Sequence, residues 1–140
     1  MCEPFLGQIA MFVGSFAPRG WALCDGQLLQ ISQYDALFSI IGTRYGGDGR
    51  VTFAVPDLRG RVPIHAGTGP GLTPRVLGQK GGHEALDLSK SDLLSPAEAV
   101  VAAPRRRDRP IRFDLEHDNM QPYQCVNFII AVEGIYPSRP

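Results

Sequence analysis

Apolar positions in this chain come in short runs separated by turn residues, and the period of each run predicts an element. Gly7 to Val13 is an apolar run, with Met11, Phe12 and Val13 together, and it stops at Gly14-Ser15. Trp21 and Leu23, then Leu28 and Ile31, lie on either side of Asp25-Gly26. An Asp-Gly pair between two apolar runs predicts a hairpin, because both turn positions tolerate positive φ. Pro18-Arg19-Gly20 marks a second turn, so two or three short strands are expected here, with Trp21 as a core anchor. Over 32–42 the spacing predicts one short helix. Ser32 is the expected N-cap, Leu37 and Ile41 share a face at i, i+4, and Gly42 follows the last turn. The strongest strand is Val126, Phe128, Ile129, Ile130 and Val132, ended by Gly134 and Pro137. It is rich in β-branched residues and apolar on both faces, which predicts a central position.

Between these elements the pattern dissolves. Residues 43–88 carry Gly46-Gly47-Asp48-Gly49, Pro56, Gly60, Pro63, Gly67, Gly69-Pro70-Gly71, Pro74, Gly78 and Gly81-Gly82. Long regular elements do not survive that density of turn residues. Buried backbone groups still need partners, so an irregular path pinned by side chains is expected, with a buried Asp57 beside Arg59 and Arg61 as the pins. Residues 89–118 are uneven. Ser89 to Ala103 begins like a short helix and drifts into Ala and Val, Pro104 to Pro110 is a basic loop, and Asp114, Glu116, His117 and Asp118 form an acidic counter-patch. No internal repeat is present. The resulting fold class is mainly β with one short helix and long irregular loops, one domain over 1–140 with a loop-rich variable stretch at 89–118.

Composition narrows the function classes. The chain has 140 residues, enough for one domain that buries roughly 70% of its unfolded surface. Sixteen glycines and twelve prolines make one residue in five a chain-bending type, which argues against a helical bundle. Fourteen basic side chains balance fourteen acidic ones, against the basic excess of a dedicated nucleic-acid binder. No apolar run reaches the ~20 residues of a membrane helix, so no membrane insertion is expected. The N-terminus, with Glu3 and Pro4, lacks a basic region ahead of an apolar core, so the expectation is cytosolic synthesis without a signal peptide. Three cysteines, Cys2, Cys24 and Cys125, form no disulfide framework and no Cys-x-x-Cys pair. Cys24 and Cys125 read as small buried apolar residues.

The candidate chemistry is thin. Gly42 to Arg50 has the glycines of a phosphate loop but ends Gly49-Arg50-Val51 rather than Gly-Lys-Ser/Thr, and Asp48 would repel phosphate. A calcium loop needs several alternating acids, and only Asp48 is there. His65, His83 and His117 are isolated in sequence, so no metal or cofactor is expected. Cys24 or Cys125 could act as a nucleophile, but no nucleophile context surrounds them. Asp57 could be a general base, but Arg59 and Arg61 beside it would hold its pKa low, which suits a structural ion pair. The basic residues of 105–112 (Arg105, Arg106, Arg107, Arg109 and Arg112) could meet nucleic acid or an anionic cell-surface glycan. They lack aromatic residues to stack on bases, and pairing with the following acids is the simpler reading.

Several blocks resemble the phage tail collar domain family, which includes bacterial microcystin-dependent proteins. They are Gly20-Trp21-Ala22-Leu23-Cys24-Asp25-Gly26-Gln27-Leu28-Leu29, Leu37 through Gly49, and Phe53-Ala54-Val55-Pro56-Asp57-Leu58-Arg59-Gly60-Arg61-Val62-Pro63-Ile64, with Leu77 through Gly82 and Asn119 through Arg139. The resemblance implies a β-rich, turn-heavy scaffold of phage tail fibres or phage-derived particles, structural rather than enzymatic. Trp21, Asp25, Gly26, Gly46, Gly47, Asp48, Gly49, Pro56, Asp57, Arg59, Gly60 and Arg61 would be its structural motif. It implies a homotrimer, or a mixed assembly with sibling tail proteins, and a cell-surface glycan as candidate receptor. Arg44, Tyr45, Arg50, Arg105, Arg106, Arg107 and Arg109 are the candidate recognition residues. Many relatives carry Met-Pro-x-His-x-His where this chain has Leu93 to Ala99 without a histidine pair, which leaves no basis for a metal on the trimer axis. The other reading kept open is a glycan- or small-molecule-binding bacterial module of the microcystin-dependent type.

Overall fold

The computed structural model describes residues 3–88, 115–118 and 120–138. Among them, in chain order, are β1 (Ile9–Phe12), β2 (Trp21–Leu23), β3 (Leu28–Gln30), α1 (Asp35–Ile41), β4 (Thr52–Ala54), β5 (Ala85–Leu88), β6 (Leu115–Asp118) and β7 (Asn127–Ala131). They fall into two compact units, one within Met1–Lys80 and Gln124–Pro140, the other within Gly81–Tyr123.

In the first unit β7 lies between β1 and β2, antiparallel to both. The central place expected from its two apolar faces is the place it takes, with Ile129, Ile130 and Ala131 buried. β1 enters through a one-residue bulge. The N–H of Gly7 donates to the Ala131 carbonyl, and the Ala131 N–H donates to the carbonyl of Gln8 (both 2.9 Å). Gly7 stands at φ 82°, a conformation that the bulge needs and that glycine adopts without steric cost.

Asp25-Gly26 does not make a hairpin. β2 pairs with β7, and β3 leaves for a different sheet with β4. The reason is the ladder that follows. Leu58 N–H donates to Cys24 O (2.9 Å), Gly26 N–H to Pro56 O (3.3 Å) and Val55 N–H to Gln27 O (3.1 Å), before the β3–β4 register begins at Leu28↔Ala54. The partner of residues 24–30 is therefore 52–58, distant in sequence, and the Asp-Gly pair bends the chain from one sheet to the next.

The helix is present but starts later than expected. Tyr34 precedes it with no side-chain cap, and Ser32 lies outside it. Its C-terminal end is better held. Gly42 N–H donates to Phe38 O (2.7 Å), and the Arg44 guanidinium donates from Nη1 to the carbonyls of Ile40 (2.8 Å) and Ile41 (3.2 Å). Leu37 and Ile41 turn inward to Leu6, Ala22, Cys24, Phe53, Val55 and Ile130, and this cluster is the core. The Phe38 ring meets Phe53 at 5.5 Å between centroids. Trp21 is only half-buried and stands outside this core. Its β2 neighbour Ala22 faces inward, and strand alternation sends Trp21 to the opposite face.

In the second unit β5 and β6 pair antiparallel from Ala85↔Asp118 to Leu88↔Leu115. Glu116, His117 and Asp118, read from sequence as part of an acidic patch, are strand residues here. The helical start at Ser89–Ala103 and the Arg105–Arg112 loop lie outside the described residues.

Candidate functional site

Two carboxylate knots organise the loops that the sequence singled out. The first is Asp48. Its Oδ1 accepts from the backbone N–H groups of Arg50 (3.0 Å), Val51 (2.9 Å) and Thr52 (2.7 Å), and from Thr52 Oγ1 (3.3 Å). These bonds lower the Asp48 pKa from 3.8 to about 2. A carboxylate held by three successive amides occupies the very donors that a phosphate would use, so Gly46–Gly49 is a closed turn. Gly46 and Gly49 lock it onto β4, through Ala54 N–H to Gly46 O and Gly49 N–H to Thr52 O (both 3.0 Å).

The second knot is Asp57. Its two oxygens take a bidentate pair from Arg59, Nε to Oδ1 at 2.9 Å and Nη2 to Oδ2 at 3.0 Å, and Oδ1 also accepts the Arg59 N–H (3.3 Å). The expectation of a buried aspartate between two guanidiniums needs correction. Asp57 is 26% exposed, Arg59 is 71% exposed, and Arg61 is exposed and makes no contact with the carboxylate. The segment leaves the core directly after Pro56, which is buried, so Asp57 sits at the exit and Arg61 lies beyond it. The Arg59 side-chain bond is the largest cause that holds the Asp57 pKa down, to about 2. With both oxygens engaged and the anion stabilised, Asp57 is a poor general base. Gly26 packs against it, with Asp25 paired opposite Asp57, and Asp25 Oδ1 closes its own turn by accepting Gln27 N–H (3.1 Å).

Both lowered pKa values carry the same sign for stability. A carboxylate with a depressed folded pKa contributes fully above its ordinary value, and the contribution disappears as pH falls through the folded value. Melting temperature is therefore expected to fall as pH drops from 3.8 through about 2. Asp48→Asn is expected to flatten part of that dependence in a circular-dichroism melt series. An unchanged profile would remove Asp48 from the account.

Cys24 is buried, and burial followed by the nearby Asp25 charge raises its thiol to about 11. Such a thiol stays protonated at neutral pH and is a weak nucleophile. Cys125, expected to be buried, is exposed, because it precedes β7 in a stretch that pairs with no described strand. In native protein at pH 8 a maleimide should label Cys125 rapidly and Cys24 only after unfolding. Labelling of Cys24 at the rate of Cys125 would contradict the burial. Among the described residues no three His, Cys, Asp or Glu side chains come together as a metal site.

The candidate recognition residues are not gathered into one surface. Arg44 is exposed but spends its guanidinium on the helix end, Tyr45 packs against the core, and Arg50 is exposed. Arg105, Arg106, Arg107 and Arg109 lie outside the described residues. What sequence reading missed is a surface feature. From Arg59 to Leu77 every residue except Ala66 and Gly69 is exposed, including Val62, Ile64, Leu72, Val76 and Leu77. Within that stretch, backbone bonds between Gly67 and Arg75 (2.8 and 2.9 Å) close a loop on itself. The signal was present in sequence as apolar residues interleaved with Pro and Gly, but no period marked them as exposed.

In this β-rich scaffold Asp25, Asp48 and Asp57 are each engaged in holding a loop. Residues 7–63 match the family model described as Phage Tail Collar Domain. That segment is less than half of the 140-residue chain, and over it the chain is similar to a structural domain of phage tails that is not a known enzyme family. The match includes the first three blocks of the resemblance up to Pro63, and the blocks at Leu77–Gly82 and Asn119–Arg139 lie beyond it. No curated protein matches the chain. Among the described residues no helix is long and apolar enough to cross a membrane.

Proposed function

We propose that this chain is a building subunit of a phage-like tail fibre, assembled as a homotrimer or together with sibling tail proteins, with its outward loops set against a host surface. The collar match over 7–63 carries this reading. The closed Asp48 and Asp57 knots support a structural role, because they fix loop geometry with both carboxylates engaged. Assembly with further copies is supported by the exposed apolar side chains Val62, Ile64, Leu72, Val76 and Leu77, which another copy could cover. Ile130 is buried in the chain's own core and Phe128 packs against it, so neither is free for a contact between copies. Exposed Arg50 and the arginines of 105–109 are the groups that would meet an anionic surface glycan.

The test is localisation. Antibody raised against the purified chain should label the tails of particles released from the producing cells. Particles with intact tails and no label, from cells whose lysate contains the protein, would refute the reading.

A further inference from the structure

The β1-β7-β2 sheet has two outer edges, and they are treated differently. On β2, the Trp21 N–H donates to Pro18 O (3.0 Å), and Leu23 O accepts from Gln27 Nε2 (3.1 Å), so that edge is partly occupied. On β1, the bonds at Gly7–Gln8 and the register fix which groups face β7. Ala10 pairs with Ile129 and Phe12 with Asn127 in the bonded positions, so Ile9 and Met11 turn their N–H and C=O groups outward. Among the described residues nothing bonds to them. Beside this edge Met11 is 72% and Val13 89% exposed, and from Pro4 to Pro18 the chain has no charged residue. An edge without charge, proline or cover is one that proteins avoid leaving bare.

The same chain holds a segment suited to cover it. Residues 62–66, Val62-Pro63-Ile64-His65-Ala66, contain no turn or bend, and none of them makes a hydrogen bond within the described structure. Val62 (62% exposed) and Ile64 (68%) alternate with Pro63 and His65. In a strand, Val62, Ile64 and Ala66 present N–H and C=O groups along one side, and Pro63 removes a donor from the other. Such a segment can add to a sheet on one side only.

We propose that residues 62–66 of one copy add as a fourth strand to the free β1 edge of a neighbouring copy. The occupant is a second copy because this one sequence supplies both an edge that no described residue pairs with and the one-sided strand, with matching apolar alternation. The contact joins two different surfaces, so repeated around an axis it closes a ring. This inference rests on the assembly part of the proposed function and names the contact that builds it.

The test uses the full chain with Cys2→Ser and Cys125→Ser, adding Met11→Cys and Ile64→Cys to the same molecule. Mild oxidation should give interchain-linked species on a non-reducing gel. A cross-linked band at monomer mass would place the segment on its own β1, and no cross-link in a protein that sediments as an oligomer would place the contact elsewhere. Either result overturns the proposal. Ile64→Pro, which removes the central donor, should lower the sedimenting mass to that of one chain, while the near-ultraviolet circular dichroism of Trp21 stays native. Pro63→Ala should leave the mass unchanged. An Ile64→Pro oligomer of wild-type mass refutes the pairing, and so does a monomeric wild type that captures only a sibling tail protein at β1. Failure of the cross-link leaves tail labelling untouched, and unlabelled tails leave the cross-link standing, so the two readings fall separately.

Discussion

Phe53→Ala is expected to cost about 3–5 kcal/mol of folding free energy, the range for emptying a fully buried aromatic site. Phe53 has no exposed surface and belongs to the cluster with Leu37, Ile41, Val55 and Ile130, and its ring touches Phe38. It joins the parts of the first unit: its backbone is in β4, it pairs with Leu29 of β3, and its side chain lies in the core shared with α1 and β7. A core this small has few ways to collapse around the lost ring, which favours the upper half of the range. In a chain of this length the loss corresponds to a fall in melting temperature of roughly 10–20 °C. Val51→Ala, at an exposed position two residues away, should stay within about 0.5 kcal/mol. A Phe53→Ala protein that melts with the Val51→Ala protein would show that α1 and β4 are not held by this contact.

The elements readable in sequence were those whose own residues decide them. β7 announced itself because five apolar residues, most of them β-branched, cannot face water on either side. α1 did so because Leu37 and Ile41 share a face at i, i+4 and Gly42 follows as a stop. Apart from the helix start, which falls after Tyr34 rather than at Ser32, the errors concern partners. Asp25-Gly26 has the local chemistry of a hairpin, yet residues 24–30 pair with 52–58, and no local signal reports a ladder closed across more than twenty residues. Trp21 looked like an anchor by size, but the strand's alternation gave the inward position to Ala22. The Asp57–Arg59 pair was legible from two residues of spacing. Its exposure was not, because that depends on the chain leaving the core after Pro56. Asp48 was read as a bar to phosphate. Its positive role, the capture of three amides, needs the turn's actual path. The β1 edge that no described residue covers and the one-sided 62–66 segment were invisible for the same reason: an unpaired hydrogen-bonding row is defined by where its partners are not.

Gly47→Ala should be nearly as damaging as the loss of Phe53, by a different route. Gly47 stands at φ 96°, and a Cβ there would lie 2.4 Å from Phe53 Cα and 2.6 Å from Thr52 O. Those are backbone atoms of β4, which cannot rotate away as a side-chain tip can. The dihedral alone costs on the order of 1–3 kcal/mol for a residue with a Cβ. Relief of the contact must move β4 from the Gly46-to-Asp48 turn, which strains the bonds that Asp48 makes to residues 50–52. A total of about 3 kcal/mol or more is expected, read as a lower midpoint in urea. Gly60→Ala separates the two contributions. Gly60 also has positive φ, 64°, but nothing lies within 4 Å of its Cβ position, so only the backbone conformation is penalised, by about 1–2 kcal/mol. Equal midpoints for the two variants would mean that the turn yields without cost and does not clamp β4. A clearly lower midpoint for Gly47→Ala would make the glycine run a close-packed part of the scaffold, consistent with a domain whose loops are built to hold shape.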